Sequence, residues 1–189
     1  MNVPIEVSAR HVHLSQDAAE VLFGKNYKFN IRKNLSQPGQ YACEERIDII
    51  GPRCSLNSVS VLGPFRHETQ VEISLTDARK IGLKPPVRES GDLRGTPGCI
   101  LRGPNGEIGL ESGVIIAKRH IHMHTDDAIK VGVKNGQICE VRATNEERFI
   151  TFGDVVIRVS DKFALAMHID TDESGAMNWS SGTRGEVIW

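Results

Sequence analysis

Cysteine is sparse in this chain of 189 residues, and the four that occur, Cys43, Cys54, Cys99 and Cys139, never stand in C-x-x-C spacing. That excludes a zinc ribbon or a dithiol redox motif. Buried free thiols in a reducing cytoplasm are expected instead, with a catalytic cysteine as the alternative. Aromatic residues make up only 5%, so the basic, aromatic-rich strands of a single-strand nucleic-acid binder are missing. Lys and Arg (23) nearly balance Asp and Glu (24), which leaves no basic field for nucleic acid or an anionic membrane. No apolar run approaches the ~20 residues that cross a bilayer. Met1-Asn2-Val3-Pro4 carries no apolar leader segment. Neither G-x-G-x-x-G nor a Walker A sequence is present, so the common nucleotide cradles are absent.

What is present is a repeated motif. Arg10-His11-Val12-His13-Leu14 returns as Arg119-His120-Ile121-His122-Met123, and four of the seven histidines lie in these two pairs. On a β-strand residues i and i+2 share a face roughly 6–7 Å apart. An H-x-H strand therefore aims two imidazoles at one point, an arrangement suited to a nitrogen-bound transition metal.

The repeat extends beyond the histidines. Ser15-Gln16-Asp17-Ala18-Ala19 follows the first pair and Thr125-Asp126-Asp127-Ala128 follows the second. Val71–Ala78 and Met167–Glu173 share the same grammar, an alternating strand ending at a Ser or Thr followed by acids. That pattern predicts an N-cap with negative charge at the positive end of a short helix. Gly24 and Gly82 stand where two such helices would end. Glu72 and His168 fall at equivalent places. The simplest account is an internal duplication in which each half supplies an H-x-H strand and one further ligand-type residue. Five imidazoles and one carboxylate suffice for two metal ions with open positions. His67 and His124 have no repeat partner, since Ser15 matches His124; His67 is read as a surface residue, and His124, which shares parity with His120 and His122, as a solvent-facing strand-end residue with an extra metal ligand as the alternative.

The length allows one domain or two small ones, and the duplication favours two. Strands are expected at Ile47–Ile50, Ser58–Leu62, Gln70–Leu75, Gly113–Ala117, Ile138–Arg142, Asp154–Val159 and Ala164–Ile169, with short helices at Asp17–Phe23, Asp77–Ile81 and Asp126–Val131. Pro104-Asn105-Gly106 and Asn135-Gly136 read as hairpin turns. Many short strands with Gly/Pro turns indicate small barrels or sandwiches. The segment from Lys84 to Gly98 is too rich in Gly and Pro to be regular. It is either a loop over a ligand, with Ser90 and backbone N–H groups meeting phosphate, or a linker. Arg66, just upstream of the strand bearing Glu72, is placed to clamp an anion bidentately; an ion pair with Glu68 is the alternative.

Ser8–Leu14, Gly63-Pro64-Phe65-Arg66 with Thr69–Ser74, and Ala117–Met123 together resemble the propanediol-utilisation type of phosphotransacylase, the phosphate propanoyltransferase family. The likeness covers nearly the whole chain, with its motifs in order. It implies a mainly β protein of two small barrels capped by short α-helices, one from residues 1–9 and 118–189 and the other from residues 10–117, including the 84–98 loop. It implies a dinuclear zinc site held by His11, His13, Glu72, His120, His122 and His168, an essential Arg66, and Ser90 in the coenzyme A pocket. The implied reaction exchanges a short-chain acyl-CoA (propanoyl or acetyl) and phosphate for acyl phosphate and coenzyme A. A homodimer follows from the same likeness; the expected location is the cytoplasm, with a microcompartment lumen, where many members carry an N-terminal encapsulation extension that is not seen here, as the alternative. From the residues alone, a metallohydrolase or a metal-storing barrel would also fit.

Overall fold

The computed structural model describes residues 1–144 and 147–189. They fall into two compact units, residues 1–8, 36–38 and 118–189 in one, and 9–35 and 39–117 in the other. The first part of the chain forms β1 (Asn2–Val7), β2 (His11–His13), α1 (Gln16–Phe23), β3 (Ile31–Asn34), β4 (Tyr41–Ile50), β5 (Ser55–Gly63), β6 (Gln70–Glu72), α2 (Leu75–Ile81), β7 (Val87–Arg88), β8 (Cys99–Arg102) and β9 (Glu107–Leu110). The remainder forms β10 (Val114–Ala117), β11 (His120–Met123), α3 (Thr125–Val131), β12 (Ile138–Thr144), β13 (Phe149–Val159), β14 (Ala166–Ile169), α4 (Thr171–Ala176) and β15 (Arg184–Ile188).

One unit is a closed six-stranded barrel in the order β1-β14-β11-β13-β12-β15. Its strands alternate cleanly: in β12, Cys139, Val141 and Ala143 point inward between exposed neighbours. They join Val3, Ile5, Ile121, Met123, Ile157 and Met167 in one apolar core. The other unit is a nine-stranded open sheet, β7-β10-β6-β2-β5-β4-β8-β9 with β3 on β4, and has its own core around Val12, Leu14, Leu22, Ile49, Val61 and Leu101. Each such fully buried side chain contributes on the order of 1.5–3 kcal/mol.

The two sheets share a six-strand plan. β2 runs parallel to β5 and antiparallel to β6, as β11 does to β13 and β14. The registers match as well: His11 lies opposite Glu72 and His13 opposite Gln70, while His120 lies opposite His168 and His122 opposite Ala166. β10 then joins β6 in parallel as β1 joins β14. These leading strands are exchanged. β1 precedes β2 in the chain but pairs with β14, and β10 precedes β11 but pairs with β6. The circle closes in one unit because β15 bonds both β12 and β1. In the other, the free edges of β8 and β10 are taken by β9 and β7, so the sheet stays a half-barrel.

Several local expectations shift. Two caps move one residue upstream: Ser15 and Ser74 cap α1 and α2, but His124 caps α3 through Nδ1, and Asp170 rather than Thr171 caps α4 in a capping box with Glu173. An imidazole lone pair and a carboxylate serve the same orphan N–H that a hydroxyl would. β6 ends at Glu72 rather than Leu75, because Ser74 already starts the helix. Asn135-Gly136 turns α3 into β12 and is not a hairpin, whereas Pro104-Asn105-Gly106 does join β8 to β9. The 84–98 segment carries the short strand β7. Of the thiols, Cys54 is exposed and the other three are buried.

Candidate active site

β2 and β6 are only three residues long and buried throughout, so their polar side chains face one another away from water. His11 Nε2 lies 3.2 Å from His13 Nε2 and 3.5 Å from Glu72 Oε2, and His13 Nε2 lies 3.9 Å from Glu72 Oε1. A tetrahedral zinc site with bonds of about 2.0–2.1 Å separates neighbouring donors by about 3.3 Å, so the set fits such an ion. His11 Nδ1 meets the Ala9 carbonyl at 2.8 Å, which places its proton there and makes Nε2 the nitrogen that could hold a metal. Burial opposes charge on all three groups. For Glu72 the charges of His11, His13 and Arg66 and a hydrogen bond with His11 outweigh burial and hold the carboxyl far below its usual range. His11 is raised, since Glu72 and the Ala9 carbonyl overcome its desolvation. Burial, then the charges of His11 and Arg66, push His13 well down.

The second triad repeats the design on β11 and β14. His120, His122 and His168 gather with ring centroids 4.5, 5.3 and 4.9 Å apart. In each triad one donor atom per residue lies within 4.8 Å of the others. His120 Nδ1 meets the Lys118 carbonyl at 2.8 Å, the counterpart of the bond from His11 to Ala9. Phe163 packs on His122, its ring centroid 4.1 Å away. The carboxylate of Glu6 stands 3.9 Å from His168 Nδ1. Three imidazoles with one ring nitrogen apiece in reach of a common point also suit zinc.

Arg66 reaches the first triad through Ser90. The turn that delivers it starts at Gly63, where a Cβ would strike the Tyr41 ring at 2.2 Å, and the Arg66 N–H donates to the Leu14 carbonyl at 2.9 Å. Its Nη1 donates to Ser90 Oγ at 2.8 Å, and Ser90 Oγ donates to Glu72 Oε1 at 3.1 Å. So the structure brings His11, His13, Glu72, Arg66 and Ser90 into one cluster, and His120, His122 and His168 into another. His67 is exposed and His124 is spent on capping.

A family model for phosphate propanoyltransferase matches residues 4–180, a span holding every residue of both clusters. The chain belongs to that family. It is 53% identical to the phosphate propanoyltransferase of Thermotoga maritima over 178 residues, covering 94% of this chain and 85% of the relative. It is 51% identical to that of Alkaliphilus metalliredigens over 188 residues, covering 100% and 88%. It is 52% identical to that of Priestia megaterium over 184 residues, covering 97% and 84%. Membership in the phosphate propanoyltransferase family makes the chain an acyltransferase.

Three features of this family member escaped the sequence reading. Arg10, just before the first H-x-H strand, pairs with Asp77 Oδ1 at 3.1 Å, and Arg119, before the second, pairs with Glu173 Oε1 at 2.7 Å. Each acid is the third residue of the helix that follows the third ligand, so each latch ties one ligand strand to the other. The recurring arginine was the available signal, but its partner depends on tertiary pairing. Gln70, 1% exposed, donates to Glu72 and Ser90. The run 36–38 joins the barrel unit because Ser36 Oγ donates to Glu6 and Gln37 bonds both the carbonyl and the N–H of Ala164.

Proposed function

We propose that this protein interconverts propanoyl-CoA or acetyl-CoA plus phosphate with the acyl phosphate plus coenzyme A, using two zinc ions, one held by His11, His13 and Glu72 and the other by His120, His122 and His168. The observation that carries the reading is the guanidinium of Arg66, hydrogen-bonded through Ser90 to a ligand-type carboxylate. A bound anion and a metal-binding triad would share that place. When bound, the zinc ions supply Lewis acidity toward a thioester carbonyl and affinity for thiolate sulfur.

The chain's own part is positioning and charge. Arg66 pairs bidentately with phosphate and offsets its repulsion from the anionic coenzyme. One oxygen of hydrogen phosphate attacks the thioester carbon, the carbon–sulfur bond breaks, and coenzyme A leaves as a thiolate that takes up the proton the phosphate loses. Arg66 also stabilises the oxyanion that forms on the way. Ser90 is assigned to the coenzyme A pocket beside it. Direct transfer without a covalent acyl-enzyme is supported by the thiols: burial pushes Cys43 and Cys99 up to about 12 and Cys139 up to about 11, which keeps them protonated. A homodimer is part of the proposal, supported by the apolar Ile138 and Ile188 that neighbouring strands β12 and β15 expose. So is a reducing cytoplasmic setting, which suits four free cysteines; a microcompartment lumen would suit them equally.

The test is thiol release from propanoyl-CoA and acetyl-CoA by zinc-replete protein, with and without phosphate. Release that requires phosphate is expected, and the faster substrate names the acyl group. Release that ignores phosphate would make the protein a thioester hydrolase.

A further inference from the structure

Gln70 is a buried amide whose hydrogen-bonding groups all meet named partners, and two of those partners belong to the candidate site. Nε2 donates to Glu72 Oε1 at 2.5 Å and to Ser90 Oγ at 2.8 Å, and Oε1 accepts from the Gly91 N–H at 2.7 Å. The orientation of the amide is settled by its neighbours. A carboxylate can only accept and a backbone N–H can only donate, so the flipped amide would face like against like at both ends. Ser90 Oγ is saturated in turn: it donates to Glu72 and accepts from Arg66 and Gln70. Gln70 therefore joins a metal-ligand carboxylate, the turn carrying Ser90 and, through that hydroxyl, the phosphate-binding arginine.

The register explains why this residue holds that place. Gln70 lies opposite His13 on β6, two residues before Glu72, and so shares its face of the strand. In the duplicate unit the same register position, opposite His122, is Ala166, which has no group to donate. The device stands beside the triad whose third member is a flexible, two-oxygen carboxylate.

We propose that Gln70 is a positioning residue for the zinc held by His11, His13 and Glu72. It fixes Glu72 Oε1 in a hydrogen-bonded pose, leaves Oε2 toward His11, and sets the distance between that site and the Ser90–Arg66 anion site. The inference rests on the two-zinc reading above. Outer hydrogen-bond partners of metal ligands typically change metal affinity by about 10–100-fold when removed.

The experiment is Co2+ and Zn2+ binding to the full chain, read by chelator competition and by the visible Co2+ spectrum, for wild type and Gln70→Met. The methionine fills a similar volume without donors. The expected result is two ions bound by both proteins, with one of the two weakened by about 10–100-fold in the variant and its spectrum shifted. A His168→Ala background, which leaves only the mixed triad whole, assigns the weakened site: adding Gln70→Met there must weaken the remaining tight ion. Ser90→Ala, which removes one hydroxyl, should reproduce a smaller part of the effect. Two wild-type affinities in Gln70→Met would overturn the proposal. So would equal weakening of both ions with a lowered apo-protein Tm, which would mark Gln70 as a packing residue. A wild-type protein that binds fewer than two ions would instead sink the two-zinc reading itself, and this proposal with it.

Discussion

Across from His11 stands Glu72, and across from His120, at the same register of a duplicated sheet, stands His168. Around Glu72 the donors are the Gln70 amide and the Ser90 hydroxyl. Around His168 the position matching Gln70 holds Ala166, and the adjoining parallel strand, which places Ile115 beside Glu72, places Glu6 beside His168. The backbone hook after β5 and after β13 is also shared, Arg66 donating to Leu14 and Ser160 donating to Met123. At that hook one unit carries a guanidinium and the other a small hydroxyl. The duplication thus supplied two similar triads, and divergence at the third member left a carboxylate with a nearby guanidinium in one and a third imidazole in the other. A carboxylate ligand needs donors to orient it, whereas an imidazole needs an acceptor for its second nitrogen. Glu72 has two such donors, and the carboxylate of Glu6 stands 3.9 Å from His168 Nδ1.

The sharpest test of this asymmetry is Arg66→Ala, expected to lower phosphate-dependent turnover by about 10²–10³-fold while both ions remain bound by metal analysis. Ser160→Ala at the equivalent hook should leave turnover near wild type. Equal loss in both would erase the distinction.

Exchanging the third ligands comes next. His168→Glu places a carboxylate where Ala166 offers no donor, and Glu72→His points the Gln70 and Ser90 donors at an imidazole. Each is expected to weaken its own ion by about 10–100-fold, measured by competition with a chelator. Wild-type affinity in either exchange would mean that the surroundings do not discriminate.

The latches should differ modestly. Arg119 makes two bonds, to Glu173 and to the Gly153 carbonyl, with side-chain exposures of 30% and 20% across the pair. Arg119→Ala should cost about 1–2 kcal/mol in denaturant unfolding. Arg10, whose side chain is 43% exposed, should cost less than about 1 kcal/mol. A reversed order would show that the barrel does not depend on its latch.

The smallest effect concerns the thiols. At pH 8 only Cys54 should react quickly with a thiol reagent, and all four should react in denaturant. Because Cys43, Cys99 and Cys139 are raised in the fold, they contribute stability that is whole below about pH 8.5, the unfolded value. It is lost as pH climbs toward 11–12. A rise in stability over that range would contradict their burial.

The H-x-H pairs, the equivalence of Glu72 and His168 and the position of Arg66 were legible because strand alternation and chain repeats are local properties of a sequence. So were the glycine ends of two helices and the turn at Asn105. The caps at His124 and Asp170 were missed because the sequence rule favours hydroxyls, whereas the backbone N–H accepts any well-placed lone pair. Gln70 looked like one more residue of an alternating strand. Only the approach of the Ser90 turn, held twenty residues away, gave its amide three partners. The exchange of β1 and β10 between units, and the closure of one sheet but not the other, depend on which distant edges compete for hydrogen bonds. The sequence by itself marked the candidate ligand residues and their duplication, since these lie within short runs whose geometry follows from the strand, but not which of them gather in one triad. Tertiary structure alone decided which groups orient those ligands, because those bonds join segments that only the folded sheet brings into register.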